Sequence, residues 1–140
     1  MFTKKIYVPI LLLLFLFFAC EKQKTNPFEG AWKMIKGTYS SDDTKIETTE
    51  EQRFCIKIMG PKYFAVVEMF KHNPDSLFFA AVGTYEFTKD KYIEKYTASN
   101  VGYQIGSKRT FDYTLENDLW TLTGKEKDME LYEEWMRIKE

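Results

Sequence analysis

The chain holds a single histidine, His72, and only two cysteines, Cys20 and Cys55. So few imidazoles and thiols cannot supply the His/Cys ligand set of a transition-metal site. His72 sits in the turn-forming stretch His72-Asn73-Pro74-Asp75, away from any activated serine or cysteine, which argues against a nucleophile–histidine triad. A Gly-rich phosphate loop and a nucleophile elbow are both missing. Without an EF-hand pattern, the acidic pairs Asp42-Asp43 and Glu50-Glu51 read as solvated charge. An excess of one charge is also lacking: 20 basic residues face 21 acidic ones, a formal net charge of −1, so no basic face for nucleic acid is expected. Internal repeats, low-complexity segments and long stretches with a 3.6-residue period are absent. These absences predict one globular domain with no metal, no cofactor, no nucleic-acid partner and no catalytic group.

What is present begins at the N-terminus. Lys4 and Lys5 precede an apolar run from Ile6 to Ala19, the order of charged and hydrophobic regions in a secretory signal. The run is shorter than the 20 or so apolar residues of a spanning helix, and a polar stretch from Glu21 to Asn26 follows it. Leu16-Phe17-Phe18-Ala19-Cys20 resembles the lipobox of bacterial lipoproteins, in which the cysteine is lipidated and becomes the new N-terminus; Phe17 stands where that motif most often has Leu. The resemblance implies a signal peptide over residues 1–19, a lipidated Cys20 with a polar tether over 20–26, and a domain over 27–140. It also implies export and membrane anchoring in the bacterial cell envelope, with the outer membrane the expected site. The tether reaches roughly 20 Å at full extension, which keeps the domain near the headgroups. Loss of Lys4 and Lys5 leaves 18 basic residues against 21 acidic ones, and Cys55 is left without a disulfide partner.

Beyond the tether, short runs rich in Val, Ile, Thr, Tyr and Phe recur between turn residues, the pattern of an all-β domain. Eight are expected: Ala31–Tyr39, Gln52–Met59, Lys62–Phe70, Leu77–Phe87, Lys91–Ala98, Lys108–Leu115, Leu119–Gly124 and Leu131–Lys139. Gly60-Pro61, His72 to Ser76, Lys89-Asp90 and Asn117-Asp118 supply turns that favour antiparallel neighbours. Two longer connections stand out, Ser40–Glu51 and Ser99–Ser107, and the first reads as a mobile loop or a short helix. An antiparallel meander of eight strands removes its edges by closing into an up-and-down barrel, whose interior either fills with side chains or holds one small ligand. A two-sheet sandwich is the alternative.

Alternation sets Tyr85 with Phe87, Tyr92 with Tyr96, Phe111 with Tyr113 and Trp120 with Leu122 on common faces. If these faces point inward, the interior is apolar with hydroxyls able to orient a ligand; ordinary core packing reads the same. Glu94 falls between Tyr92 and Tyr96, and Glu133 shares a face with Trp135 and Arg137. A buried carboxylate needs a partner; for Glu133 the candidates are Arg137, Arg53 and Arg109. The ligand-binding candidates are therefore Tyr85, Tyr92, Glu94, Tyr96, Phe111, Tyr113, Trp120 and Glu133, with a structural ion pair as the competing role for the carboxylates.

Gly30-Ala31-Trp32 opens the first run and Trp135-Met136-Arg137 lies in the last. This pairing resembles the lipocalin and calycin arrangement, which implies that Gly30, Trp32, Trp135 and Arg137 close one barrel end, with the guanidinium over an indole. With Asn26 to Trp32, Lys62-Tyr63-Phe64, Gly83 to Phe87, Tyr92 with Glu94, Gly106-Ser107-Lys108 and Glu133 to Ile138, the likeness covers almost the whole mature chain. It is similar to the lipocalin-like domains of unknown function found in bacterial lipoproteins. The resemblance implies a lipocalin-like barrel with a suspected binding role and no established reaction. The leading expectation is a membrane-anchored module that holds a small hydrophobic or amphipathic molecule. The alternative is a solid-cored interaction or structural lipoprotein that contacts another envelope protein, marked by an exposed apolar patch to which Met69, Met136 and Ile138 could contribute.

Overall fold

The computed structural model describes residues 26–139; the expected signal segment, Cys20 and the tether up to Thr25 lie outside the described residues. Nine strands follow in order: β1 (Gly30–Ser40), β2 (Lys45–Thr49), β3 (Arg53–Met59), β4 (Tyr63–Phe70), β5 (Asn73–Phe87), β6 (Lys91–Ser99), β7 (Lys108–Glu116), β8 (Leu119–Glu126) and β9 (Met129–Arg137). Their period-2 patterning has the expected consequence, since Trp32 and Met34, Phe64 and Val66, Tyr92 and Tyr96, and Trp120 and Leu122 all turn inward and are buried.

From β3 to β9 each strand pairs antiparallel with the next in the chain, and β9 returns to pair with β1. This closing contact, from Trp32↔Arg137 to Ser40↔Glu130, makes a barrel and rules out the sandwich. β2 and β3 share one side of β1: Gly30–Lys33 pair with β3, while Lys36–Ser40 pair with β2. They form two halves of one strand interrupted at Glu50–Gln52, so the barrel has eight strand positions and is lipocalin-like.

Two connections differ from the sequence expectation. Ser40–Glu51 is neither a helix nor an open loop, because β2 forms within it. The β-branched Ile46, Thr48 and Thr49 suit a strand, and pairing with β1 occupies an edge that β3 leaves unpaired beyond Lys33. The turn expected over His72 to Ser76 contracts to Lys71-His72, and β5 starts at Asn73. Pairing with β4 then jumps from Leu77 to Asn73, a bulge around Pro74, which has no N–H for the ladder. Ser99–Ser107 remains a connection and carries a short 3₁₀ turn at Gly102–Gln104.

One end of the barrel is sealed by residues that precede the first strand. Phe28 is fully buried, with its ring 4.9 to 6.3 Å from those of Tyr85, Phe87, Tyr92, Tyr113 and Trp120. Its carbonyl accepts the Trp32 indole N–H at 2.8 Å. Arg137 lies with its guanidinium carbon 4.1 Å from the Trp32 ring centre and donates to the carbonyls of Pro27 and Glu29, each at 2.6 Å. Gly30 adopts φ +122°, a region that L side chains avoid, and a Cβ there would sit 3.0 Å from Arg137 Nη1. Asn26 is tied to the same end, donating to Tyr85 Oη at 2.6 Å and to the Pro61 carbonyl at 3.3 Å. Higher up the wall, the Lys95 carbonyl and the Phe64 ring fill the space that a side chain at Gly83 would need.

Phe28 is thus a plug held by packing rather than by the sheet. Phe28→Ala is expected to cost about 3–5 kcal/mol of stability, as for other buried aromatic truncations, whereas Phe54→Ala on the exposed outer face should stay within about 0.5 kcal/mol. Urea unfolding of the two variants checks this; equal, small losses would mean that the plug does not hold the barrel closed.

Candidate functional site

The interior is divided by an ion pair. Lys57 and Glu94 are 4% and 2% exposed, and Lys57 Nζ lies 2.7 Å from Glu94 Oε1. Tyr92 donates its hydroxyl to Oε1 at 2.9 Å and Tyr96 donates to Oε2 at 2.8 Å. Four rings, those of Phe64, Tyr92, Trp120 and Trp135, have their centres 4.6 to 5.9 Å from Lys57 Nζ, within cation–π range. Burial alone would raise the Glu94 carboxyl; the Lys57 charge and the three hydrogen bonds outweigh it and hold the carboxyl below its ordinary value. Glu94 is a satisfied anion.

Below this pair the barrel is solid with aromatic rings, and above it lies a cavity of about 360 Å³ that opens at the opposite end from Phe28. Met34, Val66, Phe79, Phe111, Leu131 and Trp135 give it apolar walls. Charged side chains from neighbouring strands also line it. Arg53 meets Glu68 at 2.6 Å and Arg109 meets Glu126 at 2.5 Å. Arg53 also lies over the rings of Phe70 and Phe78, 4.8 and 4.3 Å from their centres, near the mouth. Burial pushes the Glu68 carboxyl up, against the hydrogen bond and charge of Arg53, and repulsion from Glu133 adds to the rise. Burial, with Glu68 and Glu133 nearby, likewise pushes the Cys55 thiol far up, so Cys55 is a neutral thiol in the wall and not a nucleophile.

Of the eight candidates, Glu94, Tyr96, Phe111 and Glu133 line the cavity. Tyr85, Tyr92, Tyr113 and Trp120 do not: they pack around Phe28 at the sealed end. The sequence pattern gives each face but not the height of each residue along the barrel. Trp135 spans both regions, with Nε1 donating to Glu133 Oε2 at 2.9 Å. Arg137 is not the partner of Glu133, since it turns to the sealed end and meets Asp118 at 3.3 Å. Arg53 and Arg109 are engaged with other carboxylates. Lys57, Glu68, Gln104 and Glu126 were not legible as site residues. For Lys57 the signal existed: Cys55 and Met59 alternate with it on one face, and lysine's rarity in cores hid it.

The outer surface carries a second feature. Phe54 and Ile58 of β3, Tyr63 and Val67 of β4 and Val82 of β5 point outward and are 40 to 63% exposed. Ladder pairs join them through Ile56, Ala65 and Ala80 into one apolar face. Lys33, the β1 neighbour of Ile56, and Lys95, the β6 neighbour of Thr84, border it. No helix among the described residues is long and apolar enough to cross a membrane.

Comparison with known proteins agrees with the geometry. A family model described as a domain of unknown function (DUF4488) matches residues 27–140. No curated protein matches the chain. Among solved structures, a lipocalin-like protein from Bacteroides uniformis ATCC 8492 is similar, with a TM-score of 0.54 and 14% identity over 81% of this chain and 100% of the other. At that identity the likeness shows the fold alone.

The Lys57–Glu94 pair has a pH signature. In the native chain the Glu94 carboxyl titrates below its unfolded value of 4.5, so its contribution to stability is present above that pH and is lost as pH falls through the folded value. In Lys57→Met burial is no longer opposed by a cation, the folded value rises above the unfolded one, and the contribution then falls as pH rises from about 4.5. Lys57→Met should therefore cost about 3–5 kcal/mol at pH 7 and less at pH 4, and adding Glu94→Gln should restore most of the loss. Urea unfolding at the two pH values checks this; a loss independent of pH would show that Glu94 is not the group left uncompensated.

Proposed function

We propose that this chain, which belongs to the DUF4488 domain family, is an exported, lipid-anchored barrel that holds one small amphipathic molecule in the cell envelope. The carrying observation is the cavity of about 360 Å³ above the Lys57–Glu94 pair, within the size range of small-ligand sites. Apolar walls with a few fixed charged groups suit a molecule with a hydrophobic body and a polar head. Export and anchoring rest on the Lys4-Lys5 and Ile6–Ala19 signal pattern and on Ala19-Cys20. Two or three acyl chains on Cys20 would hold the protein stably. Among the described residues, no group in the cavity is arranged as a nucleophile with its base, so the reading is carriage rather than reaction.

Native mass spectrometry of the barrel from Thr25 onward, purified without detergent and exposed to envelope lipid extract, tests the reading. A stoichiometric adduct, weakened by filling the cavity with Val66→Phe, is expected. A clean mass throughout would overturn the carrier reading.

The outer apolar face favours a second role, in which β3, β4 and β5 rest against the membrane that Cys20 would hold. The chain enters the barrel at Asn26, hydrogen-bonded to Pro61 in the β3–β4 turn, so the anchor would emerge at the edge of this face. Apolar side chains rimmed by lysines are the composition of a surface that binds anionic lipid. The barrel without its anchor should co-sediment with phosphatidylglycerol-containing vesicles, and Ile58→Ser with Val67→Ser should lower the bound fraction severalfold. Unchanged sedimentation, or a dimer by ultracentrifugation that these changes dissolve, would assign the face elsewhere.

A further inference from the structure

We propose that the molecule held in the cavity is an organic amine, with its ammonium seated on the Glu133 carboxylate. The proposal rests on the cavity being a ligand site and names the chemistry that site selects.

Charge matching inside the cavity is incomplete in one direction. Four carboxylates line it, Glu68, Glu94, Glu126 and Glu133, against three cations, Arg53, Lys57 and Arg109. Each cation is taken: Arg53 by Glu68, Lys57 by Glu94 and Arg109 by Glu126, at 2.5 to 2.7 Å. Glu133 is the carboxylate left over. It accepts the Tyr39 hydroxyl at 3.2 Å and the Trp135 indole N–H at 2.9 Å, and no ion pair to it is found among the described residues. Two neutral donors leave lone pairs open on a half-buried anion, an arrangement that a cation from outside would complete.

Two further polar atoms of the lining residues, Gln104 Oε1 and Arg109 Nε, are buried without a hydrogen-bond partner, one an acceptor and one a donor. Buried polar atoms in native structures are nearly always partnered. An ammonium carries three donors and no acceptor, which answers the free carboxylate lone pairs of Glu133. A carboxylate ligand would find no free cation and would add a fifth anion. A purely apolar ligand would leave the Glu133 lone pairs unanswered. The walls suit the same class, because Met34, Val66, Phe79, Phe111 and Leu131 offer an apolar bed for an alkyl chain.

Three probes with one body and different heads test this: n-octylamine, n-octanol and octanoate, titrated calorimetrically into the protein at pH 7. Octylamine is expected to bind about tenfold or more tightly than octanol, the scale of one charge-assisted hydrogen bond, with octanoate the weakest. Glu133→Gln, of the same shape, should remove the amine's advantage over octanol. An amine that binds no better than octanol overturns the inference and leaves the carrier reading standing. So does a preference that survives Glu133→Gln. Should the variant fold poorly, the ranking of the three probes on the unsubstituted protein still separates the outcomes. Failure of all three probes to bind at millimolar concentration would remove the ligand site itself.

Discussion

The structure turns on a lysine and a glutamate placed where neither belongs by composition alone. Lys57 comes from β3 and Glu94 from β6, across the barrel from each other, and they meet at 2.7 Å with almost no exposure. Desolvating two charges is costly, and the attraction between them offsets that cost only when the remaining lone pairs and protons are also satisfied. Here they are: both Glu94 oxygens accept a tyrosine hydroxyl, and Lys57 is ringed by aromatic faces. The arrangement fixes which strands face one another and at what height, because a one-residue slip of β3 or β6 would send one charge outward and strand the other inside.

That pair also explains why the barrel is solid at one end and hollow at the other. Rings gather on the Tyr92 side, where Phe28, Trp32 and Trp120 interlock edge to face and Arg137 lies over the Trp32 ring. On the Tyr96 side neighbouring strands contribute long charged groups that pair along the wall, Arg53 of β3 with Glu68 of β4 and Arg109 of β7 with Glu126 of β8. Paired polar groups cannot close-pack as an aromatic cluster does, so an opening remains. The interrupted strand β2–β3 sits at this looser end, where Thr48 is buried with no partner for its hydroxyl.

Much of the fold was legible because it depends on local alternation. Period-2 runs, Asn117-Asp118 and Gly60-Pro61 turns, and Gly30-Ala31-Trp32 at the start point to a closed antiparallel barrel without any knowledge of contacts. β2 was hidden because Lys45–Thr49 is short, polar and mostly exposed; it is a strand only because β1 offers an unpaired edge there. The site was less legible for a different reason. Alternation says which face a residue occupies, but whether Tyr92 or Tyr96 borders the cavity depends on strand tilt and stagger, which no single run encodes. Glu133 and Arg137 share a face and still serve opposite ends of the barrel.

The two ends of the barrel also differ in what they hold. The chain enters at the sealed end, where Asn26 and Arg137 lock the segment before β1 onto the floor. A pull transmitted from a lipidated Cys20 would therefore fall on Phe28 and its hydrogen-bonded neighbours, the best-packed part of the molecule. The mouth, with Arg53 over Phe70 and Phe78, lies at the far end of β3 and β4. The entrance to the cavity thus lies clear of the segment that precedes β1. If the β3–β5 face lies along the bilayer, the mouth opens parallel to the membrane surface, where an amphipathic amine partitioned among headgroups would meet it side-on rather than by escape into water.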